Sequence, residues 1–319
     1  MTKAASSFRI AQTALGLQMR QLEQFLGSKI LERHSRGVVP TPAGQLLYER
    51  AQEILQLVEE TVESVQNLQG KSSILTLGLI PSQMQLLAQE LLTWTKAQNP
   101  LFSLRLIEEF RPHEAVRRGE VDFGIGCEVP HQPDIERTPL LTEELIFITA
   151  PQHFAPTGVD DLGLADETID MADVLSYQLT FSPHATEMWR LVEAAARSIS
   201  AIPRVAFEVQ SIQGIKMLVA SGAAASVLPY GSIRTELADG RLVGRRVRHP
   251  GLRWTIYWST PKRALARINA EQHAFLLDHI LECLLVQLGP LATRLWTPCS
   301  TVAPASPEPV EEKILAIRM

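Results

Sequence analysis

Residues 13–44 read TALGLQMRQLEQFLGSKILERHSRGVVPTPAG, and this stretch decides the fold of the N-terminal part of the chain. Its first half predicts a helix over Thr13–Leu26, which Gly27 can end in the left-handed conformation. Apolar residues recur there at steps of four, three and four, which predicts one buried stripe made of Leu15, Met19, Leu22 and Leu26.

The second half predicts a two-stranded wing followed by another helix. Lys29–Glu32 is typical of a short strand, a polar turn follows, and Val38 and Val39 begin the return strand. Thr41 is then placed to cap the next helix, with Pro42 in its first turn. The order favours a winged helix-turn-helix, and any other small α+β unit is the alternative.

Two segments, AQTALGLQMRQLEQFLG (11–27) and KILERHSRGVVPTPAG (29–44), closely resemble the DNA-binding domain of LysR-type transcriptional regulators. In that family a Gln, a small residue and Ala enter the recognition helix, QLE…LG ends it, and LxER…RGV…T…AG runs through the wing. The resemblance extends more weakly to about Leu288. It implies a transcriptional regulator, with double-stranded DNA and a small-molecule effector as partners.

The resemblance also implies which residues contact DNA: Gln12, Thr13, Gly16, Leu17, Gln18 and, in the wing, Arg36. Arg33 belongs to the same basic surface and is included with them. Glutamine can pair with adenine in the major groove, and a wing arginine can hold phosphate or enter the minor groove. Gly16 and Leu17 stand where the family usually has Ser and a polar or basic residue. We also expect residues 1–44, the DNA-binding domain, to lack the family's first helix. Both departures predict weaker or less selective binding of DNA.

One long helix is predicted from Thr41 to about Leu68, and residues 45–73 are assigned as a linker. The apolar face of this helix is too long for so small a domain to cover, which favours pairing with a second copy. A solvated connector is the alternative, while the resemblance also implies a linker helix that dimerises. We therefore expect a homodimer or homotetramer.

Strands and helices alternate over residues 74–289, a pattern that predicts a doubly wound α/β domain. Within it we predict a strand over Glu144–Thr149 and a helix over Asn269–Leu288. The resemblance implies a two-lobed, periplasmic-binding-protein-like effector domain. We assign lobe I to residues 74–150 and 260–289 and lobe II to 151–259. Residues 290–319 are rich in Pro, Ser, Ala and Glu and are predicted to be disordered.

Ligands of such folds bind at the carboxyl ends of the strands. The strand ends predicted to face the cleft are Pro81, Ser82, Gln83, Phe110, Arg111, Gly126, Cys127, Ser182, His184, Ser211, Ile212 and Pro229. Ser82 and Ser211 are expected to start helices, where they could receive an anion or merely cap the helix. Arg111 could hold a carboxylate, so the effector is predicted to be a small, possibly anionic molecule.

Composition narrows the class of protein further. The net charge is −5, yet residues 1–50 hold seven Lys or Arg against three acidic residues, which suits a local phosphate-binding surface. Three scattered cysteines argue for a reducing cytoplasm. The sequence contains no uncharged run of membrane-spanning length and no secretory signal, so we expect no membrane association.

No metal-ligand spacing, catalytic constellation or cofactor motif stands out in the sequence, so we expect no metal, no cofactor and no enzymatic activity. Three alternatives stay open. These are a LysR-like protein with impaired DNA binding, a solute-binding protein, and an enzyme on the same two-lobed fold.

Overall fold

A computed structural model describes residues 11–34, 37–67, 73–98, 102–127, 133–183, 186–262, 268 and 270–297. Its N-terminal part contains the predicted helix, wing and long helix: α1 (Gln12–Leu26), β1 (Leu31–His34), β2 (Gly37–Pro40) and α2 (Pro42–Asn67). Gly27 has φ 64° and ends α1 as predicted. The winged arrangement is confirmed.

Two details of this part were predicted wrongly. The first wing strand begins at Leu31 and not at Lys29, and at its start the amides of Ile30 and Leu31 bind the carboxylate of Glu23. The apolar stripe of α1 is less buried than expected. Leu22 and Leu26 are 37% and 40% exposed.

The rest of the chain builds a two-lobed α/β domain around one large sheet. In lobe I, strands β3 (Ser73–Leu79), β4 (Phe102–Glu108) and β5 (Phe123–Cys127) run parallel, with β3 in the middle. Helix α3 (Pro81–Gln98) follows β3, and α4 (Pro112–Arg117) follows β4. The core-facing residues of β3 (Leu75, Leu77 and Leu79) are fully buried, as expected for a strand covered on both faces.

Strand β6 (Ile135–Thr149) connects the two lobes. Its first ten residues, apart from Leu140 at a register shift, pair antiparallel with β12 (Arg253–Pro261) of lobe I, whereas Leu145–Thr149 pair with strands of lobe II. The predicted strand Glu144–Thr149 was therefore nine residues too short at its start. The lobes change over near residues 144–145 and 252–253, earlier on both strands than the boundaries at 150 and 260 assigned from the sequence.

Lobe II holds the remaining strands and helices of the effector domain. The strands are β7 (Ile169–Asp170), β8 (Leu179–Phe181), β9 (Val205–Glu208), β10 (Ser226–Pro229) and β11 (Val243–Arg248). The helices are α5 (Met171–Val174), α6 (Thr186–Ser198), α7 (Ile212–Ala220) and α8 (Arg234–Ala238). A short 3-10 turn, Tyr230–Ser232, follows β10 directly. It packs against α3 of lobe I.

The chain returns to lobe I through β12, and α9 (Ala270–Leu288) then packs on that lobe, as predicted. This helix is long and apolar enough in composition to cross a membrane, but Leu276, Ile280 and Leu284 are fully buried in the core of lobe I. It is a core helix of the domain. The predicted disordered tail begins too early, because β13 (Ala292–Arg294) pairs with β6 and Leu291 is buried. Residues 298–319 lie outside the described part of the chain.

Candidate functional site

Side chains from the QLE and T…AG motifs hold the wing against the recognition helix. The Glu23 carboxylate accepts hydrogen bonds from the amides of Ile30 (3.0 Å) and Leu31 (3.3 Å). The Thr41 hydroxyl donates to the carbonyl of Lys29 (2.7 Å) and accepts from the amide of Gly44 (3.0 Å), which confirms Thr41 as the cap of α2. At Gly44 a side chain would collide with the carbonyl oxygen of Ile30. These contacts fix how α1 and the wing are presented together.

The predicted DNA-contacting residues divide into three groups. Gln12, Thr13, Leu17 and Gln18 are exposed at the start of α1, where a side chain can reach a groove. Gly16 is buried, which leaves it the poorest candidate for a contact. The side chain of Arg33 and the whole of Arg36 lie outside the described residues.

The predicted cleft residues lie along two edges of the domain. The carboxyl ends of β3, β4 and β5 bring Pro81–Gln83, Phe110–Arg111 and Gly126–Cys127 to one edge of lobe I. Strands β8, β9 and β10 also run parallel. Their carboxyl ends bring Ser182, Ser211–Ile212 and Pro229 to one edge of lobe II. The predicted His184 lies outside the described residues.

The two edges meet where the turn after β10 touches the start of α3. A side chain at Gly231 would collide with the backbone carbonyl of Ser82. Ser82, Gln83, Ser182 and Pro229 are all buried. The cleft is therefore closed at this point.

Most of the predicted polar groups already have partners in this closed form. Ser82 was predicted to start and cap its helix, but it does not, because α3 begins one residue earlier, at Pro81. The Ser82 hydroxyl donates to Gln83 instead. Ser211 does cap α7, accepting from the amide of Gly214 at 3.3 Å. The Ser182 hydroxyl donates to the carbonyl of Gln210 at 3.2 Å.

The remaining predicted residues are arranged less favourably for direct binding. The exposed guanidinium of Arg111 lies 3.1 Å from the carboxylate of Glu114, so an anionic ligand would compete with that pair. Phe110 is exposed, whereas Ile212 and the thiol of Cys127 are half-buried. Gly126 lets Pro112 of α4 approach the sheet, with the Pro112 ring 3.1 Å from where a Cβ would stand.

A buried network that the sequence analysis missed lies beneath this contact. We call it the hinge network: Ser82, Gln83, Glu143 and Trp254. One carboxylate oxygen of Glu143 accepts from the Gln83 amide (3.2 Å) and from the Trp254 indole (2.9 Å). Burial raises the pKa of Glu143 to about 7, although the hydrogen bonds from Trp254, Gln83 and the Tyr230 backbone lower it.

The opposite face of the same strands carries an ion-pair network. Glu144 binds Arg253 of β12 and lies 3.8 Å from Arg246 of β11, whose guanidinium also binds Asp160 at 2.6 Å. These pairs join strands of lobe I to strands of lobe II. The point where the lobes change over therefore has buried hydrogen bonds on one face and half-exposed ion pairs on the other.

Comparisons with known proteins match both parts of the chain. Two family models match: the model for bacterial regulatory helix-turn-helix proteins of the lysR family matches residues 1–45, and the model for the LysR substrate binding domain matches residues 68–279. The chain is 29% identical over 234 residues to the HTH-type transcriptional regulator BenM of Acinetobacter baylyi, covering 72% of this chain and 74% of that one. It is 30% identical over 245 residues to the nitrogen assimilation regulatory protein nac of Klebsiella aerogenes, covering 74% and 75%.

Solved structures agree on the fold. The LysR family transcriptional regulator CbnR matches with a TM-score of 0.60 and 20% identity, covering 90% of this chain and 93% of that one. Full-length CbnR complexed with its target DNA matches with a TM-score of 0.60 and 20% identity, covering 88% and 93%. With an N-terminal DNA-binding domain and a C-terminal effector-binding domain, this chain belongs to the LysR family of transcriptional regulators.

Proposed function

We propose that this chain binds its target DNA through the start of α1 and the wing, as a homodimer, under the control of an effector held between the two lobes. The observation that carries this proposal is the exposed start of α1 (Gln12, Thr13, Leu17 and Gln18) on a wing domain fixed by Glu23 and Thr41. Residues at the N-terminal end of a recognition helix are those that reach base edges.

Selection of DNA from fragments of the source genome by the full-length protein tests this function. Enrichment of a short set of sites with twofold symmetry is the expected result, because symmetric sites mirror a symmetric dimer. Retention of all fragments in proportion to their length would contradict the proposal.

The homodimer is proposed to form through α2. Its exposed side chains include Leu46, Tyr48, Ile54, Leu55, Val58 and Val62, each about half or more exposed. Exposed apolar surface on this scale marks an interaction site. A second copy of α2 would cover this apolar surface.

The effector is proposed to be a small molecule carrying an acidic group, bound between the carboxyl ends of the strands. Arg111 supplies a cation at that edge, and Ser211 supplies a helix start. A thermal-shift panel of small carboxylic acids, each paired with its neutral amide, tests this. The acids are expected to raise the melting temperature more than their amides, and Arg111→Ala is expected to remove the difference. Equal shifts by acid and amide would contradict it.

We further propose that the protein acts in the cytoplasm and regulates transcription without catalysing a reaction. The two relatives named above are regulators, and the two solved structures carry the same fold. The buried carboxyl group of Glu143 binds Gln83 and Trp254, which position it but offer no nucleophile.

A further inference from the structure

The carboxyl group of Glu143 is in an unusual position for an acidic side chain. The residue is fully buried, and both side-chain donors bind the same oxygen, Oε2. The other oxygen, Oε1, accepts no hydrogen bond of standard geometry from the described residues. The Tyr230 backbone is a third donor, and all three donors favour the anion, but burial without a cationic partner outweighs them and favours the protonated acid.

Charged groups on the surrounding elements are turned away or already paired. Glu144 and Arg253, the next residues on the two strands, lie on the other face of the sheet and bind each other. Arg294 on β13 binds Glu282 of α9, and Arg234 of α8 binds Gln287 at 2.8 Å. The phenol of Tyr230 has a raised pKa because of burial and is therefore neutral. Within the described ranges, no cation pairs with Glu143.

Glu143 also lies where the lobes join. It pairs with Trp254 and Ala292 in lobe I, and two residues later Leu145 pairs with Pro229 in lobe II. Directly above it, the contact between Gly231 and Ser82 closes the cleft. Water can reach Oε1 once these two edges separate, so the ionised group gains solvation from opening.

We propose that Glu143 is a proton switch for the closure of the cleft, in which the protonated acid favours the closed lobes and the carboxylate favours a more open form. On opening, the proton passes to solvent and the carboxylate is hydrated. Burial places the pKa of the closed form at about 7, so the switch responds within the physiological range. The switch rests on the proposed function in one respect: closure of the cleft would govern effector binding and, through effector binding, DNA binding.

The first test follows the full-length protein without DNA or effector. Amide hydrogen exchange, corrected for intrinsic rates, is measured at pH 6 and pH 8 over residues 80–86 and 226–233. Protection is expected to fall severalfold at pH 8 in the wild-type protein. In Glu143→Gln, which mimics the neutral acid, protection is expected to be the same at both pH values. Glu136→Gln, exposed on the lobe I part of the same strand, should keep the wild-type difference.

A second measurement needs no variant. Carbon-13 NMR of glutamate-labelled wild-type protein should show one carboxyl resonance titrating near pH 7, and fluorescence of Trp254, which bonds this carboxyl, should change over the same interval. A carboxyl titration confined to pH 4–5, or equal exchange at both pH values in the wild type, would overturn the switch. Neither result depends on DNA binding, so the switch and the regulator can fail separately.

Discussion

Gly44 shows how a single residue can fix the geometry of the DNA-binding domain. The amide of Gly44 binds the cap residue Thr41 at 3.0 Å, and its Cα hydrogens face the carbonyl of Ile30 at the start of the wing. A larger residue would push the wing away from α2. Steric crowding at the wing therefore explains why glycine stands at the end of the family-like motif.

We predict that Gly44→Ala destabilises the domain by about 1–3 kcal/mol, the usual cost of an overpacked contact. Gly16→Ala is the matched control. A Cβ at Gly16 meets nothing within 4 Å, and alanine is the better helix former by about 1 kcal/mol. Urea denaturation followed by circular dichroism measures both. Equal or greater stability of Gly44→Ala would show that the wing contact yields without cost.

At the same scale, the sequence could predict the capping role of Thr41 and Ser211 but not the role of Glu143. Caps depend on neighbours three residues away, which the sequence displays directly. Glu143 binds partners 60 and 111 residues distant, Gln83 and Trp254. A pair of glutamates inside an otherwise apolar stretch, TEELIFIT, was the available signal, and starting the strand at Glu144 concealed it.

At the scale of elements, α2 is predicted almost to the residue and β6 is not. The long helix is expected at 41–68 and observed at Pro42–Asn67, because its apolar periodicity is sustained and its cap is explicit. The first ten residues of β6, IERTPLLTEE, contain a proline and four charged residues. Its pairing with β12 tolerates Pro139 opposite Tyr257 next to a register shift, a tertiary arrangement that local propensity does not encode.

The exposed face of α2 leads to a prediction about assembly. Val58→Glu should convert the proposed dimer to monomer at micromolar concentration, because a carboxylate in a paired apolar interface would be desolvated without a partner. Gln45→Glu adds the same charge on the opposite side of the helix and should leave the mass unchanged. Sedimentation equilibrium measures both. A wild-type mass for Val58→Glu would place the interface elsewhere.

At the scale of the whole molecule, the two edges of the cleft could be predicted because parallel strands place their carboxyl ends together. The extent of closure could not. It depends on Gly231 meeting Ser82, a contact between residues far apart in the sequence. The same contact leaves the polar groups predicted to bind an effector, among them Ser82 and Ser182, bonded within the protein. Effector binding in this account therefore exchanges internal hydrogen bonds for bonds to the ligand.

The central proposal is that this regulator binds DNA sequence-selectively through the start of α1. The most direct measurement is fluorescence anisotropy of the full-length protein with its selected genomic site and with a scrambled site of equal length, at fixed salt. We predict that Gln18→Ala reduces the discrimination between the two sites by about 1–3 kcal/mol, as expected for a lost base contact. Gln24→Ala, exposed near the other end of the same helix, should preserve it. Equal affinity of the wild-type protein for both sites, or unchanged discrimination in Gln18→Ala, would contradict this account.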